Sequence, residues 1–155
     1  MMDLITIGRI KTAHPKLRDE LEKDYIECNN LLPKGIRLRF AYVYRSVEEQ
    51  NKLFAQRPKV TNARGGQSIH NYGLAFDIVI LKDKDNNGTF ETASFDIDEH
   101  WLTVVKFFKS KGWVWGGDWK SFKDGPHFEK TFGHTWQTLA KKEIMINNGM
   151  KYPII

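Results

Sequence analysis

Asp77 stands inside Leu74-Ala75-Phe76-Asp77-Ile78-Val79-Ile80, a run that is otherwise apolar. An isolated ionised carboxylate is costly to bury, so such a group needs a cation partner, a metal or a proton. His70 comes seven residues earlier, in Ser68-Ile69-His70-Asn71-Tyr72-Gly73, and a flexible approach through Gly73 could fold it back towards Asp77. Taken alone, the pair is served as well by an arginine partner for Asp77 and a loop role for His70. A second group follows in Trp115-Gly116-Gly117-Asp118-Trp119 and Asp124-Gly125-Pro126-His127-Phe128-Glu129. A histidine after a Gly-Pro turn, with a carboxylate three residues before it, is an economical zinc layout. His127 would be a third ligand and Asp124 would act from beside the metal. Zinc takes nitrogen and oxygen ligands in a tetrahedron, and hydrolytic sites keep one position open for water. Two histidines and one aspartate leave that position free.

The elements that must position these residues follow from periodicity. Pro15 suits a first helical position, and Leu17, Leu21, Tyr25, Cys28 and Leu32 recur at helical spacing, so a helix is expected over 15–32. Alternation from Ile36 to Tyr44 predicts a half-buried strand with Ile36, Leu38, Phe40, Tyr42 and Tyr44 on one face. Ser46-Val47-Glu48-Glu49 has capping-box spacing and opens a helix over 47–56, followed by a loop over 57–67. The run 74–81 reads as a strand buried on both faces, and 83–88 as a turn. Helical spacing returns over 98–111 with Gly112 as its stop. Trp113-Val114-Trp115 and His127-Phe128-Glu129 read as short strands, and 135–147 as a last helix. Interleaved helices and strands make the chain α+β.

The 155 residues are 41 % hydrophobic and 28 % charged, a globular composition, and no linker or repeat divides them, so one domain over 1–155 is expected. Twenty-four Lys and Arg against 19 Asp and Glu give a net charge of +5, which favours an anionic partner. The single Cys28 excludes an intrachain disulfide and any cysteine-rich zinc module. No apolar run approaches the ~20 residues that span a bilayer. Met1-Met2-Asp3-Leu4 lacks the basic region and apolar stretch of a signal peptide, so synthesis in the cytoplasm and another route of exit are expected.

The ordered series S-x-H-x-x-G-x-A-x-D from Ser68 to Asp77, with Asp124-Gly125-Pro126-His127 far downstream, resembles the zinc peptidases that cut peptidoglycan stem peptides. These include D-alanyl-D-alanine carboxypeptidases and dipeptidases. The likeness is closer to the L-alanyl-D-glutamate endopeptidases of phage endolysins and bacterial wall hydrolases. It runs from about Phe40 to Phe128, within a motif-bearing core of about 36–131. The resemblance implies a small central antiparallel sheet flanked by helices, and no room for an appended wall-binding module. It implies His70, Asp77 and His127 as ligands of one Zn²⁺, Asp124 as the catalytic carboxylate and Arg45 as the group that polarises the scissile carbonyl. Ser68 is implied near the substrate or a ligand, and Trp119 is expected to line the cleft. In such a mechanism zinc lowers the pKa of water towards ~7 and Asp124 relays its proton to the leaving amine. The expected partner is a peptidoglycan stem peptide, met by a monomer at the wall after holin-type or other release.

Other readings attach to single features. Asp118, after a Gly-Gly turn, is expected to bond its own backbone, with contact behind a ligand histidine as the alternative. Trp113, Trp115 and Cys28 are read as core, and His14, His100 and His134 as surface or capping residues. Asp83-Lys84-Asp85-Asn86-Asn87-Gly88 opens like a calcium loop, but Ser94 stands where an EF-hand needs its bidentate glutamate. An Asn-Gly hairpin turn is the expectation there. Scattered basic residues without an aromatic-basic motif speak against a nucleic-acid function. A carboxypeptidase or dipeptidase, or an inert zinc-bearing domain that only binds wall peptide, are the alternatives to the endopeptidase.

Overall fold

The computed structural model describes residues 2–155; Met1, the first residue of the expected leaderless terminus, lies outside them. Strands β1 (Ile36–Tyr42), β2 (Ala75–Lys82), β3 (Thr92–Ser94), β4 (Val114–Trp115) and β5 (His127–Glu129) form one antiparallel sheet. Its order is β1-β2-β5-β4, and β3 also pairs with β2. Because β5 pairs with residues 75–77 and β3 with 80–82, the two share one edge of β2. Helices α1 (Leu4–Ile10), α2 (Arg18–Asn29), α3 (Val47–Ala55), α4 (Glu99–Ser110) and α5 (Trp136–Leu139) surround it. This is the α+β arrangement of a small antiparallel sheet with flanking helices.

β2 is central and buried on both faces, as its continuous apolar run requires. Phe76, Ile78 and Ile80 are at most 1 % exposed and build the core between sheet and helices. The Phe76 ring stacks on Phe40 at 4.1 Å and on Phe128 at 5.1 Å, with Trp113 and Phe108 edge-on to it. From α4, capped by Asp98 through the backbone N–H groups of His100 and Trp101, Trp101, Val104, Val105 and Phe108 close the core. Alternation along β2 then places Asp77 on the face opposite Phe76.

β1 lies at the sheet's edge, where unpaired backbone groups need partners. Helix side chains supply them. The Leu38 N–H donates to Asn29 Oδ1 and its carbonyl accepts from the Tyr25 hydroxyl, at 2.9 and 2.8 Å. The Phe40 N–H donates to Thr6 Oγ1 at 2.9 Å, and its carbonyl accepts from Arg9 at 2.7 Å. The register shifts between Phe40 and Tyr42, so the expected face ends there. Tyr42 is 56 % exposed and Val43 takes the buried place.

Several expected boundaries are corrected. The first long helix starts at Arg18, not Pro15, because His14 to Leu17 form a separate turn. Leu17 is nonetheless buried, which is why its spacing reads as helical. α1 was not anticipated; it is seven residues long, capped by Asp3. The helix expected over 135–147 is only the single turn α5, followed by a hairpin of β6 (Ile144–Asn147) and β7 (Met150–Pro153). Asn148 and Gly149 at φ 52° and 77° make the left-handed turn that joins the two strands. The hairpin docks through buried Tyr152, whose hydroxyl donates to the Thr12 carbonyl at 2.6 Å. His14 is an anchor here rather than a surface residue: it is 1 % exposed, with Nε2 2.7 Å from the Pro153 carbonyl. The segment 83–91 is a longer connection between β2 and β3, not a two-residue hairpin turn. Its Asp83 carboxylate accepts from the backbone N–H groups of Asn87 and Gly88. Among the described residues no helix is long and apolar enough to cross a membrane.

Candidate active site

The chain enters the site through a 3₁₀ turn, Ile69–Tyr72, capped by Ser68. Ser68 Oγ accepts from the His70 N–H at 3.3 Å, so this hydroxyl holds the backbone of a site residue while it lines the cleft. Asn71 Oδ1 accepts from the Gly66 and Ser68 N–H groups, and its Nδ2 donates to the Arg45 carbonyl at 2.9 Å. The Arg45 N–H in turn donates to the His70 carbonyl at 3.1 Å. Gly73 then reverses the chain at φ +71°, where a Cβ would come within 2.6 Å of the His14 nitrogen. This reversal brings His70 back over the start of β2.

Asp77 and His127 are direct cross-strand partners on β2 and β5. His70 Nε2 and His127 Nδ1 both lie 3.1 Å from the same atom, Asp77 Oδ1. The three possible ligand atoms fall within 4.8 Å of one another. The other ring nitrogens are committed: His70 Nδ1 lies 2.8 Å from the Val43 carbonyl and His127 Nε2 lies 2.8 Å from Glu129 Oε1. A carbonyl only accepts, so His70 Nδ1 carries the hydrogen and its Nε2 offers a lone pair. Burial works against ionised Asp77, yet the two histidines outweigh it and hold its carboxyl far below the usual range. Burial also opposes charge on His127, but Asp77 and Glu129 push its pKa up to about 9. Two imidazole nitrogens and a carboxylate oxygen converging in a buried place form a donor set that fits a divalent cation such as zinc.

The turn before β5 sets Asp124. Its N–H donates to the Gly116 carbonyl at 3.0 Å, and the His127 N–H donates to the Asp124 carbonyl at 3.1 Å. A Cβ on Gly116 would meet that Asp124 carbonyl at 2.4 Å, so only glycine lets the two loops lie this close. Trp115 Nε1 donates to the Gly125 carbonyl at 2.6 Å and fixes the turn further. Solvent reaches Asp124, but the surrounding protein and then the Asp77 charge raise its pKa, against the pull of His127, His70 and Arg45. A carboxylate whose pKa is raised is a stronger base than a free one.

A cleft of about 1300 Å³ surrounds these groups. Arg45, Ser68, Trp119 and Asp124 line it with the three clustered residues, and Val60 to Ala63 and Thr135 to Gln137 form further walls. The Trp119 ring lies 5.4 Å from the His127 ring. His134, read from the sequence as a surface or capping residue, also lines the cleft. Asp118 is elsewhere: its carboxylate meets Lys109 Nζ at 2.6 Å instead of its own backbone or a histidine. The sequence reading missed Gln50, which is fully buried. Its Oε1 accepts from Arg45 at 3.1 Å and its Nε2 donates to the Ala63 carbonyl at 2.8 Å, tying the arginine to the cleft wall. Nothing in the sequence marks it. Glu129 was missed too, although a residue two places from His127 on a strand must share its face.

The chain is similar to several known proteins. Residues 61–130 match a family model described as D-alanyl-D-alanine carboxypeptidase. The chain is 45 % identical over 105 residues to the peptidoglycan L-alanyl-D-glutamate endopeptidase CwlK of Bacillus subtilis, covering 62 % of each protein. It is 36 % identical over 135 residues to the L-alanyl-D-glutamate peptidase of a Listeria phage, covering 84 % of this chain and 40 % of that one. The chain thus spans less than two thirds of the length of either curated relative. The crystal structure of the Serratia marcescens L-Ala D-Glu endopeptidase ChiX shares the fold, with a TM-score of 0.57 at 22 % identity over 82 % of this chain and 86 % of that one.

Proposed function

We propose that this chain, whose residues 61–130 match a family model described as D-alanyl-D-alanine carboxypeptidase, is a zinc-dependent peptidoglycan hydrolase that cuts the L-alanyl-D-glutamate bond of the stem peptide. The observation that carries the metal reading is the convergence of His70 Nε2 and His127 Nδ1 on one oxygen of Asp77. His70, Asp77 and His127 would hold the ion. When bound, zinc supplies a Lewis acid for the peptide carbonyl and makes water acidic enough to attack at neutral pH.

The chain's own residues do the rest. Asp124, tethered three residues before His127, accepts a proton from the attacking water and passes it to the leaving amine. The Arg45 guanidinium, held by Gln50, offers N–H donors to the oxygen on which negative charge develops, a role often worth on the order of 3 kcal/mol. Trp119 gives the substrate a flat wall, and the chain's net charge of +5 favours an acidic partner for the molecule as a whole. The cleft, at about 1300 Å³, has room for a peptide substrate. The names of both curated relatives support the same bond.

Protein stripped with a chelator should leave purified sacculi intact, and one equivalent of Zn²⁺ should restore solubilisation. Undiminished hydrolysis by metal-free protein would contradict the reading.

A further inference from the structure

His127 has to present one ring nitrogen to the ion while the rest of the ring is held still. A histidine on a strand can flip or rotate unless its second nitrogen is engaged. For His70 the engagement is a backbone carbonyl, that of Val43 at 2.8 Å. For His127 it is a side chain: Nε2 lies 2.8 Å from Glu129 Oε1. Both residues lie on β5, which is paired on one edge with β2 and on the other with β4, so their backbones are fixed. Glu129 stands opposite Ala75 and Val114, neither of which offers it a charge. The next residue, Lys130, turns instead to the Lys111 carbonyl and to Glu20. Among the described residues, His127 is the ion-pair partner of the Glu129 carboxylate, whose side chain is only 20 % exposed.

We propose that Glu129 is a positioning residue: it holds the His127 Nε2–H, keeps Nδ1 turned towards Asp77, and thereby sets the affinity of the centre for its metal. The inference rests on the reading of His70, Asp77 and His127 as ligands. A carboxylate behind a ligand histidine fixes its tautomer and makes it a better electron donor, and loss of such a partner commonly costs 10–100-fold in metal affinity. Glutamine in its place would keep an acceptor oxygen but lose the charge; alanine would lose both.

The test is Zn²⁺ affinity, measured by competition with a chromophoric chelator, for the wild-type protein and for Glu129→Ala and Glu129→Gln. Melting of each metal-free protein is followed in parallel. The expected result is affinity weakened about 10–100-fold in Glu129→Ala at near-unchanged melting, with a smaller loss in Glu129→Gln. Unchanged affinity in both variants, beside a wild type that takes up one Zn²⁺, would overturn this inference alone. A wild type that takes up none would overturn the ligand reading with it. Nitrogen NMR of the zinc-loaded wild type gives a second readout that needs no variant. His127 should carry its proton on Nε2 with Nδ1 bound, and the reverse arrangement would overturn the proposal even if Glu129→Ala failed to fold.

Discussion

Asp118 and Asp124 share one loop and one chemistry, yet they meet different surroundings. Asp118 is half exposed and held by Lys109, and it lines no part of the cleft. Asp124 is tied by backbone hydrogen bonds to Gly116 and His127, and its pKa is raised by desolvation and by Asp77. Asp124→Asn keeps the shape and removes the basicity. It should retain zinc and melting temperature while losing at least ~10²-fold in turnover. Asp118→Asn removes one surface ion pair, an interaction usually worth ~0–1 kcal/mol, and should stay close to wild type in turnover. Turnover, metal content and melting of both variants check this, and a folded but inactive Asp118→Asn beside a normal Asp124→Asn would reverse the assignment. The grouping of His70, Asp77 and His127 was legible because a carboxylate in an apolar strand demands a partner and because the ordered motif is long. Glu129 and Gln50 were not. Each acts by touching another side chain, and that contact depends on register and packing rather than on spacing in the chain.

At the scale of elements, the central strand, the capped helices α3 and α4 and the strand carrying His127 follow from hydrophobic period and capping chemistry. The elements misread are those whose form depends on what they pack against. α1 is too short to show a period, and it is fixed by Asp3. Two hydrogen bonds from Arg39, at 2.9 and 3.0 Å, and contacts from Thr6 hold this buried carboxylate. The 135–147 segment reads as helical until Asn148-Gly149 is taken as the turn of a hairpin, where β6 leaves Ile144 and Ile146 exposed. Asp3 also makes a prediction about acid stability. Burial would raise its pKa, but Arg39 and Thr6 outweigh burial and hold it below the usual 3.8. A carboxylate depressed in the folded state binds its proton more readily when unfolded. Its contribution is therefore complete above the unfolded value and is lost as pH falls from about 5 towards the depressed folded value. Asp3→Asn should lower the urea midpoint at pH ~7 by an amount that shrinks towards pH ~2. A difference that stays constant across that range would refute the linkage.

For the whole molecule, the sheet supplies a rigid floor. Phe76 and its stacked neighbours fill one side, while Asp77 and His127 stand on the other beside a cleft walled by the loop of Val60 to Ala63 and the start of α5. Which bond the centre cuts is the central claim, and mass spectrometry of the termini created in purified sacculi tests it most directly. Digestion by the zinc-loaded protein should expose a free amine on D-glutamate and leave L-alanine on the muramyl side. Release of D-alanine or D-alanyl-D-alanine, with the L-alanyl-D-glutamate bond intact, would contradict it.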